Sequence, residues 1–415
     1  MAQESIYRRL FWPVFAPSIL FGIAGGATVP VQVVAAMHLG ASASLAALVV
    51  ALVAAVGLAT TVQAGRLIDR LGDRRAMLLA TVAAAVTELG SIAALVWGGR
   101  GALELFIATS LLRAPALNVW GLARQAFTAE RVAVHEVGRA MTGLGGTMRI
   151  GALIGPLLGG LLLMRLPLWS VYLLSVLCAV LALVILYIPS LGGRLESGAA
   201  VSSGAPTTQT GDDGEPLRVD WTRVVLAGIA IIALQLARTA QPVIVQLWGV
   251  HLGLDESRIS LLIAIGAAVE IVLMFPGGYL KDRLGRSVIL VACLGLYGLG
   301  YLLVVPLTHW WGVAGVVVAV VVMAVGNGLG AGVNMTIGAD LSPAEGRGRF
   351  LGIWALFSGA GALSGPLLIS ALVRVAVVQT AVLAVGGLTV AGAAWVLCLA
   401  PRLALPRGIG REKTD

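Results

Sequence analysis

Apolar residues run along this chain in long blocks, without the period-two alternation of half-buried strands. Twelve blocks stand out, at residues 11–37, 45–64, 76–97, 102–124, 139–164, 168–188, 222–250, 258–280, 288–307, 311–338, 349–374 and 377–400. A helix crosses the hydrocarbon core of a bilayer with roughly 20 mainly apolar residues. The pattern therefore predicts an all-α membrane protein with 12 transmembrane helices. One long polar break divides the blocks six and six: residues 197–216 read SGAAVSSGAPTTQTGDDGEP, the Gly, Pro, Ser and Thr content of a flexible connector. The expected organisation is a six-helix bundle at 1–188, a cytoplasmic flexible linker at 189–220, a second six-helix bundle at 221–402 and a cytoplasmic tail at 403–415.

Composition supports this reading. The chain is 59% hydrophobic and 12% charged, with a mean hydropathy of +0.96, whereas soluble domains are about 25% charged. Its 54 glycines suit helices that approach closely in lipid. The net charge of +8 does not point to nucleic acid, because the basic residues collect in short loops on one side of the predicted spans. Arg8, Arg9, residues 65–75, Arg131, Arg139, Arg194, Arg218, residues 281–286, Arg347 and the C-terminal tail fall on that side. Arg100, Arg165, Arg258 and Arg374 fall on the other. The positive-inside rule then places both termini and the linker in the cytoplasm. The first apolar block is too long for a signal peptide and is expected to remain as a span. Cys178, Cys293 and Cys398 lie within apolar blocks, without the spacing of a metal site or a disulfide framework. The expected setting is a multi-pass monomer in the plasma membrane, in contact with lipid, a small-molecule substrate and protons, and needing no cofactor or metal.

The two halves repeat. At an offset of 213, His38-Leu39-Gly40 aligns with His251-Leu252-Gly253, Asp69 with Asp282, and Gly72 with Gly285. At 210, Gly138-Arg139 aligns with Gly348-Arg349, and Gly151, Gly155 and Pro156 with Gly361, Gly365 and Pro366. Parallel six-helix repeats are a standard transporter design, with the substrate site near the midplane between them.

The hinge Gly65-x-x-x-Asp69-Arg70-x-Gly72-x-Arg74-Arg75 resembles the loop signature of the major facilitator superfamily between its second and third helices. A weaker copy at 278–286 falls between the eighth and ninth. The run Gly151-x-x-x-Gly155-Pro156-x-x-Gly159-Gly160 is similar to the fifth-helix antiporter motif of that superfamily's drug:proton exporters. Pro30 and Arg113 stand where that group has a first-helix proline and a fourth-helix coupling arginine. Gln32 replaces a second proline, and the glycine that usually follows the arginine is absent. The resemblance implies the major facilitator fold, two pseudo-symmetric bundles that rock about a shared cavity. It also implies cytoplasmic latches, with Asp69 meeting Arg349 and Asp282 meeting Arg139.

Charges inside the bilayer are functional candidates by default. Here they are Glu88, Arg113, Arg149, Arg238 and Glu270. Arg149 lies ten residues beyond Arg139, and Glu270 twelve before Asp282, or about 15 and 18 Å along a helix. If Arg139 and Asp282 meet, Arg149 and Glu270 share a level. Glu270 is then expected to be a titratable carboxylate whose proton affinity Arg149 sets, with a static ion pair as the alternative. Arg113, on a helix that lines the cavity by resemblance, is expected to hold a substrate acid or bias the proton site. Gln32, Asn118, Gln235, Arg238, Gln241, Asn327 and Asn334 are the expected polar lining. Trp120, Trp248 and Trp354 are candidates for stacking on a flat substrate or for interface anchors. Gly151 and Gly155 are expected to seat another helix, with Pro156 bending the fifth.

The glycines at 326, 328, 330 and 332 follow no strand and form no dinucleotide loop, and neither lysine sits in a phosphate loop. No nucleophile–base or metal-ligand set suggests an enzyme. The expected function is a proton-coupled exporter of amphipathic compounds. A proton-coupled or facilitative importer of a small polar or anionic solute is the alternative, and a non-transporting membrane sensor is a remote one.

Overall fold

The computed structural model describes residues 8, 10–130, 132, 137–188, 219–343 and 347–403. The expected linker, apart from Val219 and Asp220, and the tail beyond Leu403 lie outside these residues, and so do the side chains of Arg139, Asp282 and Arg349. Among the described residues the structure is helical, with no strand.

The apolar blocks become α1 (Phe11–His38), α2 (Ala43–Ala59 and Thr61–Leu71), α3 (Asp73–Trp97), α4 (Ala102–Glu130), α5 (Val137–Leu163) and α6 (Trp169–Tyr187). They continue as α7 (Trp221–His251), α8 (Glu256–Leu284), α9 (Arg286–Trp311), α10 (Val313–Leu329 and Val333–Leu341), α11 (Arg347–Val375) and α12 (Val378–Leu403). By length and composition eleven of these can cross a membrane, and α2, bent by 48° at Thr60, makes the twelfth. Large apolar side chains such as Val86, Leu112, Leu181, Val272 and Leu397 are exposed, as suits helices solvated by lipid.

Two compact units divide the chain. The first comprises Met1–Ser42, Leu52–Ala205 and Leu254–Ala264; the second comprises Ala43–Ala51, Pro206–Gly253 and Ile265–Asp415. In the first, α1 packs on α5 and α6, and α3 packs on α4 and α6. In the second, α7 packs on α11 and α12, and α9 packs on α10 and α12. Each pairing in one unit has its repeat-related pairing in the other.

The seams show why the repeated glycines are there. A Cβ on Gly151 would strike the backbone of Gly22, and one on Gly155 would lie 2.5 Å from Ala27 N and Ile23 O. A Cβ on Gly26 would lie 2.8 Å from Gly151 O and 3.1 Å from Pro156 Cδ. Small residues on both helices thus let α1 and α5 pack backbone to backbone. On α11, a Cβ on Gly361 or on Gly365 would lie 2.5 or 2.7 Å from the α7 carbonyl oxygens of Ile232 and Leu236 respectively. At the hinges, Gly72 (φ 76°) and Gly285 (φ 91°) each begin the following helix in a conformation that side chains rarely adopt.

Candidate functional site

The first unit holds a buried ion pair that no sequence pattern had joined. Arg113 Nε on α4 lies 2.9 Å from Glu88 Oε1 on α3, with side-chain exposures of 16% and 3%. Ser175 Oγ on α6 donates to the same carboxylate oxygen at 3.0 Å. Arg113 Nη2 donates to Thr28 Oγ1 on α1 at 3.0 Å, and Thr28 bonds back to Ala24 O. One turn further along, Ser91 and Thr109 share a hydrogen bond of 2.9 Å. Glu88 Oε2 and the Tyr172 hydroxyl are buried without a hydrogen-bond partner among the described residues. Thr28 directly precedes the 3₁₀ turn Val29–Val31, which carries Pro30 and interrupts α1. Pro30 has no N–H to give to a helical hydrogen bond. The guanidinium therefore reaches from α4 to the weak point of α1.

Asn118, expected in the polar lining, does another job. Its amide donates to Gly57 O, and Thr60 and Thr61 hydroxyls donate to the same carbonyl at 3.2 and 3.1 Å. Three donors converge on a backbone group at the bend of α2, as an interrupted helix in lipid requires. The tryptophans are also absorbed by the fold, at 3–4% exposure. Trp120 stacks on Phe21 and carries Arg124 over its ring at 4.6 Å. Trp248 donates to Thr308 and Trp354 to Asn334. Burial makes all three packing residues rather than stacking platforms or interface anchors. Cys178 and Cys293 are buried, whereas Cys398 is exposed.

In the second unit Arg238 on α7 mirrors Arg113. Its Nε donates to Asn327 Oδ1 at 2.8 Å, Nη1 to Gln235 Oε1 at 3.3 Å, and Nη2 to Gly330 O at 2.9 Å. Gly330 lies in the break of α10 between Leu329 and Val333, where Gly332 is left-handed (φ 74°). Arg238 thus caps the interruption of α10 as Arg113 braces that of α1. Gln241 accepts from the Tyr297 hydroxyl at 3.0 Å. Asn334 donates to Ser358 at 2.9 Å, which ties α10 to α11. Glu270 on α8 lies within electrostatic reach of Tyr297 and Cys293, and so does Arg238. Glu270 is half-buried, and its backbone abuts Gly328. Arg149 is half-buried on α5 in the first unit, and Gln32 opens the segment of α1 beyond its break.

At the hinge, Asp69 and Arg70 are exposed, and Gly65 has open space where a Cβ would stand. Arg74 donates to Leu186 O at 3.1 Å, tying the start of α3 to the end of α6. On α5, a Cβ on Gly159 would lie 3.6 Å from Ala27 O, and Gly160 O accepts from Ser257 at 2.8 Å.

Broken helices braced by polar side chains inside two repeated bundles define a membrane transporter, and the comparisons place it in a family. The Major Facilitator Superfamily model matches residues 14–209 and 226–414. The chain belongs to that superfamily and is a multi-pass transporter. Solved structures share the fold at low identity. A POT family transporter in complex with 5-aminolevulinic acid is 13% identical over 97% of this chain and 98% of that one, with a TM-score of 0.77. The inward-open xylose transporter XylE from E. coli is 14% identical over 96% and 97%, with a TM-score of 0.71. A D-xylose-proton symporter is 14% identical over 98% and 100%, with a TM-score of 0.68. No curated protein matches the chain.

Proposed function

We propose that this protein is a proton-coupled secondary transporter that takes up a small polar or anionic solute by alternating access. It would act as a monomer in the plasma membrane with both termini cytoplasmic. The observation that carries this reading is the half-buried arginine in each bundle: Arg113, paired with Glu88 and bonded to Thr28 beside the break of α1, and Arg238, held by amide and carbonyl groups at the break of α10. A guanidinium in such a place favours a carboxylate or carbonyl ligand over a lipophilic cation. Among proteins of the same fold are one described as a peptide transporter and one as a D-xylose-proton symporter. Gln32, Gln235, Gln241 and Asn327 complete the polar lining in this reading. The hinge residues Gly65, Asp69, Arg70, Gly72 and Arg74 serve gating together with Asp282, Arg139 and Arg349.

Proton-driven export of amphipathic compounds is the second reading, favoured by the Gly151–Gly160 motif. That motif packs α5 onto α1, and the packing alone accounts for Gly151 and Gly155. Purified protein in proteoliposomes, challenged with a panel of solutes under an imposed proton gradient, separates the two. The expected result is accumulation of an anionic or polar solute when the outside is made acidic. Gradient-driven extrusion of amphipathic compounds would reverse the direction, and transport indifferent to the gradient would remove the coupling.

A further inference from the structure

We propose that Glu88 is the site where this transporter takes up its proton, and that protonation frees Arg113 to bind an anionic group of the solute. The inference rests on the proton-coupled reading and sets its chemistry. It moves the proton from the expected eighth-helix acid to the third helix of the first bundle.

The geometry supplies each step. Glu88 is deeply buried, and one of its oxygens is committed to Arg113 and Ser175. The other, Oε2, has no partner among the described residues. A carboxylate built only to fix helix packing is normally satisfied at both oxygens. An oxygen left bare is where a proton adds at no cost in existing bonds. The guanidinium is more exposed than the carboxylate, so a solute reaches Arg113 more readily than Glu88.

The charged or titratable groups facing Glu88 are few among the described residues. Arg113 comes from α4, and Tyr172, whose hydroxyl feels both charges, comes from α6. From α1 comes Thr28, which is neutral and reaches Glu88 only through Arg113. The hinge segment of α2 meets α3 near Asp73, fifteen residues, or about 22 Å, from Glu88.

The proton step balances simply. An Oε2–H bond forms, the carboxylate becomes a neutral carboxyl, and the charge attraction that held Arg113 is lost. The proton leaves later to water by the reverse step. A solute anion approaching Arg113 competes with ionised Glu88 for one cation and is repelled by it. Protonation removes that competitor, so proton and anion favour each other's binding and travel together. By linkage, the anion raises proton uptake by the same factor as the proton raises anion affinity. A cationic solute would have the opposite relation, since protonated Glu88 leaves Arg113 uncompensated. Release of Arg113 also loosens its hold on Thr28 beside the break of α1, which offers a route from protonation to helix movement.

The test uses full-length protein in proteoliposomes, with Glu88→Gln and Glu270→Gln beside the native chain and an anionic solute taken from the panel above. Glu88→Gln mimics the protonated state. It is expected to abolish gradient-driven accumulation while keeping solute exchange at equal pH, and Glu270→Gln to retain accumulation. Infrared difference spectra across a pH step are recorded on the native protein and on Glu270→Gln, so the answer does not depend on Glu88→Gln folding. A buried carboxylic-acid band that persists in Glu270→Gln supports the proposal; its disappearance there, or accumulation retained by Glu88→Gln, overturns it. Proton release on binding, in place of uptake, overturns the anion-linked form. Native protein that ignores the gradient defeats the proton-coupled reading, and infrared spectra of Glu88→Asp, whose shifted band marks Glu88 as its source, still decide whether Glu88 titrates.

Discussion

Single residues here act mainly by repairing interrupted helices. Backbone groups freed by a break have no water to turn to in lipid, so side chains must take them. Asn118 does this for Gly57 on α2, and Arg238 for Gly330 on α10. Arg238 engages three acceptors in different directions, two of them on α10, a spread that suits a planar fork and defeats an ammonium point charge. We predict that Arg238→Lys costs about 1–2 kcal/mol, the upper range of interhelical hydrogen bonds in membrane proteins. Unfolding in mixed micelles measures it, and an unchanged midpoint would mean that the break of α10 is self-supporting. The Glu88–Arg113 pair shows what was hidden in the sequence. Glu88 lies twelve residues before Arg100 and Arg113 thirteen after it, so a hairpin of α3 and α4 folded about that turn brings them level. Ser91 and Thr109 obey the same register. That signal was present, but it becomes readable only once the turn Gly98–Gly101 is fixed as the point of reversal.

Elements tell a different story, because their seams were written plainly in glycine. The spacing Gly151, Gly155 marks one face of α5, and the structure seats Gly22 and Gly26 of α1 against it. The sequence identified the seam but could not name the partner, since many helices of this chain carry small residues. Space around each glycine differs enough to predict a graded series. A Cβ at Gly151 or Gly155 collides with α1 backbone, which cannot retreat as a flexible side chain can; at Gly159 the nearest atoms are 3.6 Å away, and at Gly145 there is nothing within 4 Å. Gly155→Ala is expected to cost about 1–3 kcal/mol, as overpacking does, and to depress transport. Gly159→Ala and Gly145→Ala are expected to be tolerated. Equal effects along the series, measured by thermal unfolding and solute exchange, would show that the motif acts through something other than contact with α1. The bend of α2 was not legible, because its donors come from α4 and from hydroxyls common in any helix. The glycine run at 326–332 was legible as glycine but not as a break, because its meaning depends on Arg238.

At the scale of the whole molecule, the repeat has kept its scaffold and let its chemistry diverge. Both units pair their helices alike and place Gly72 and Gly285 alike. Yet at an offset of 213 Glu88 corresponds to Tyr301, whose hydroxyl merely bonds Ala237 O at 2.5 Å. Packing is shared because it serves any solute, whereas the Glu88–Arg113 ion pair has no counterpart at the repeat-related position of Glu88. One polar contact did survive duplication. Ser257 of α8 donates to Gly160 O in the first unit, and the repeat-related positions are Ser44 and Ser370. Within the second unit Ser44 and Ser370 donate to each other's carbonyls at 2.8 Å, with their hydroxyl oxygens 3.3 Å apart. A contact retained in both copies at the opposite end of α2 from the charged hinge is a good candidate for one that must open in each cycle. The oxygen separation leaves room for a disulfide only after side-chain rotation, a small movement for cysteine. Oxidation of a Ser44→Cys, Ser370→Cys double variant is therefore expected to join α2 to α11, stop turnover, and restore it on reduction. Undiminished transport by fully cross-linked protein would show that α2 and α11 stay together at this end throughout the cycle. The opening motion would then have to be sought elsewhere in the fold.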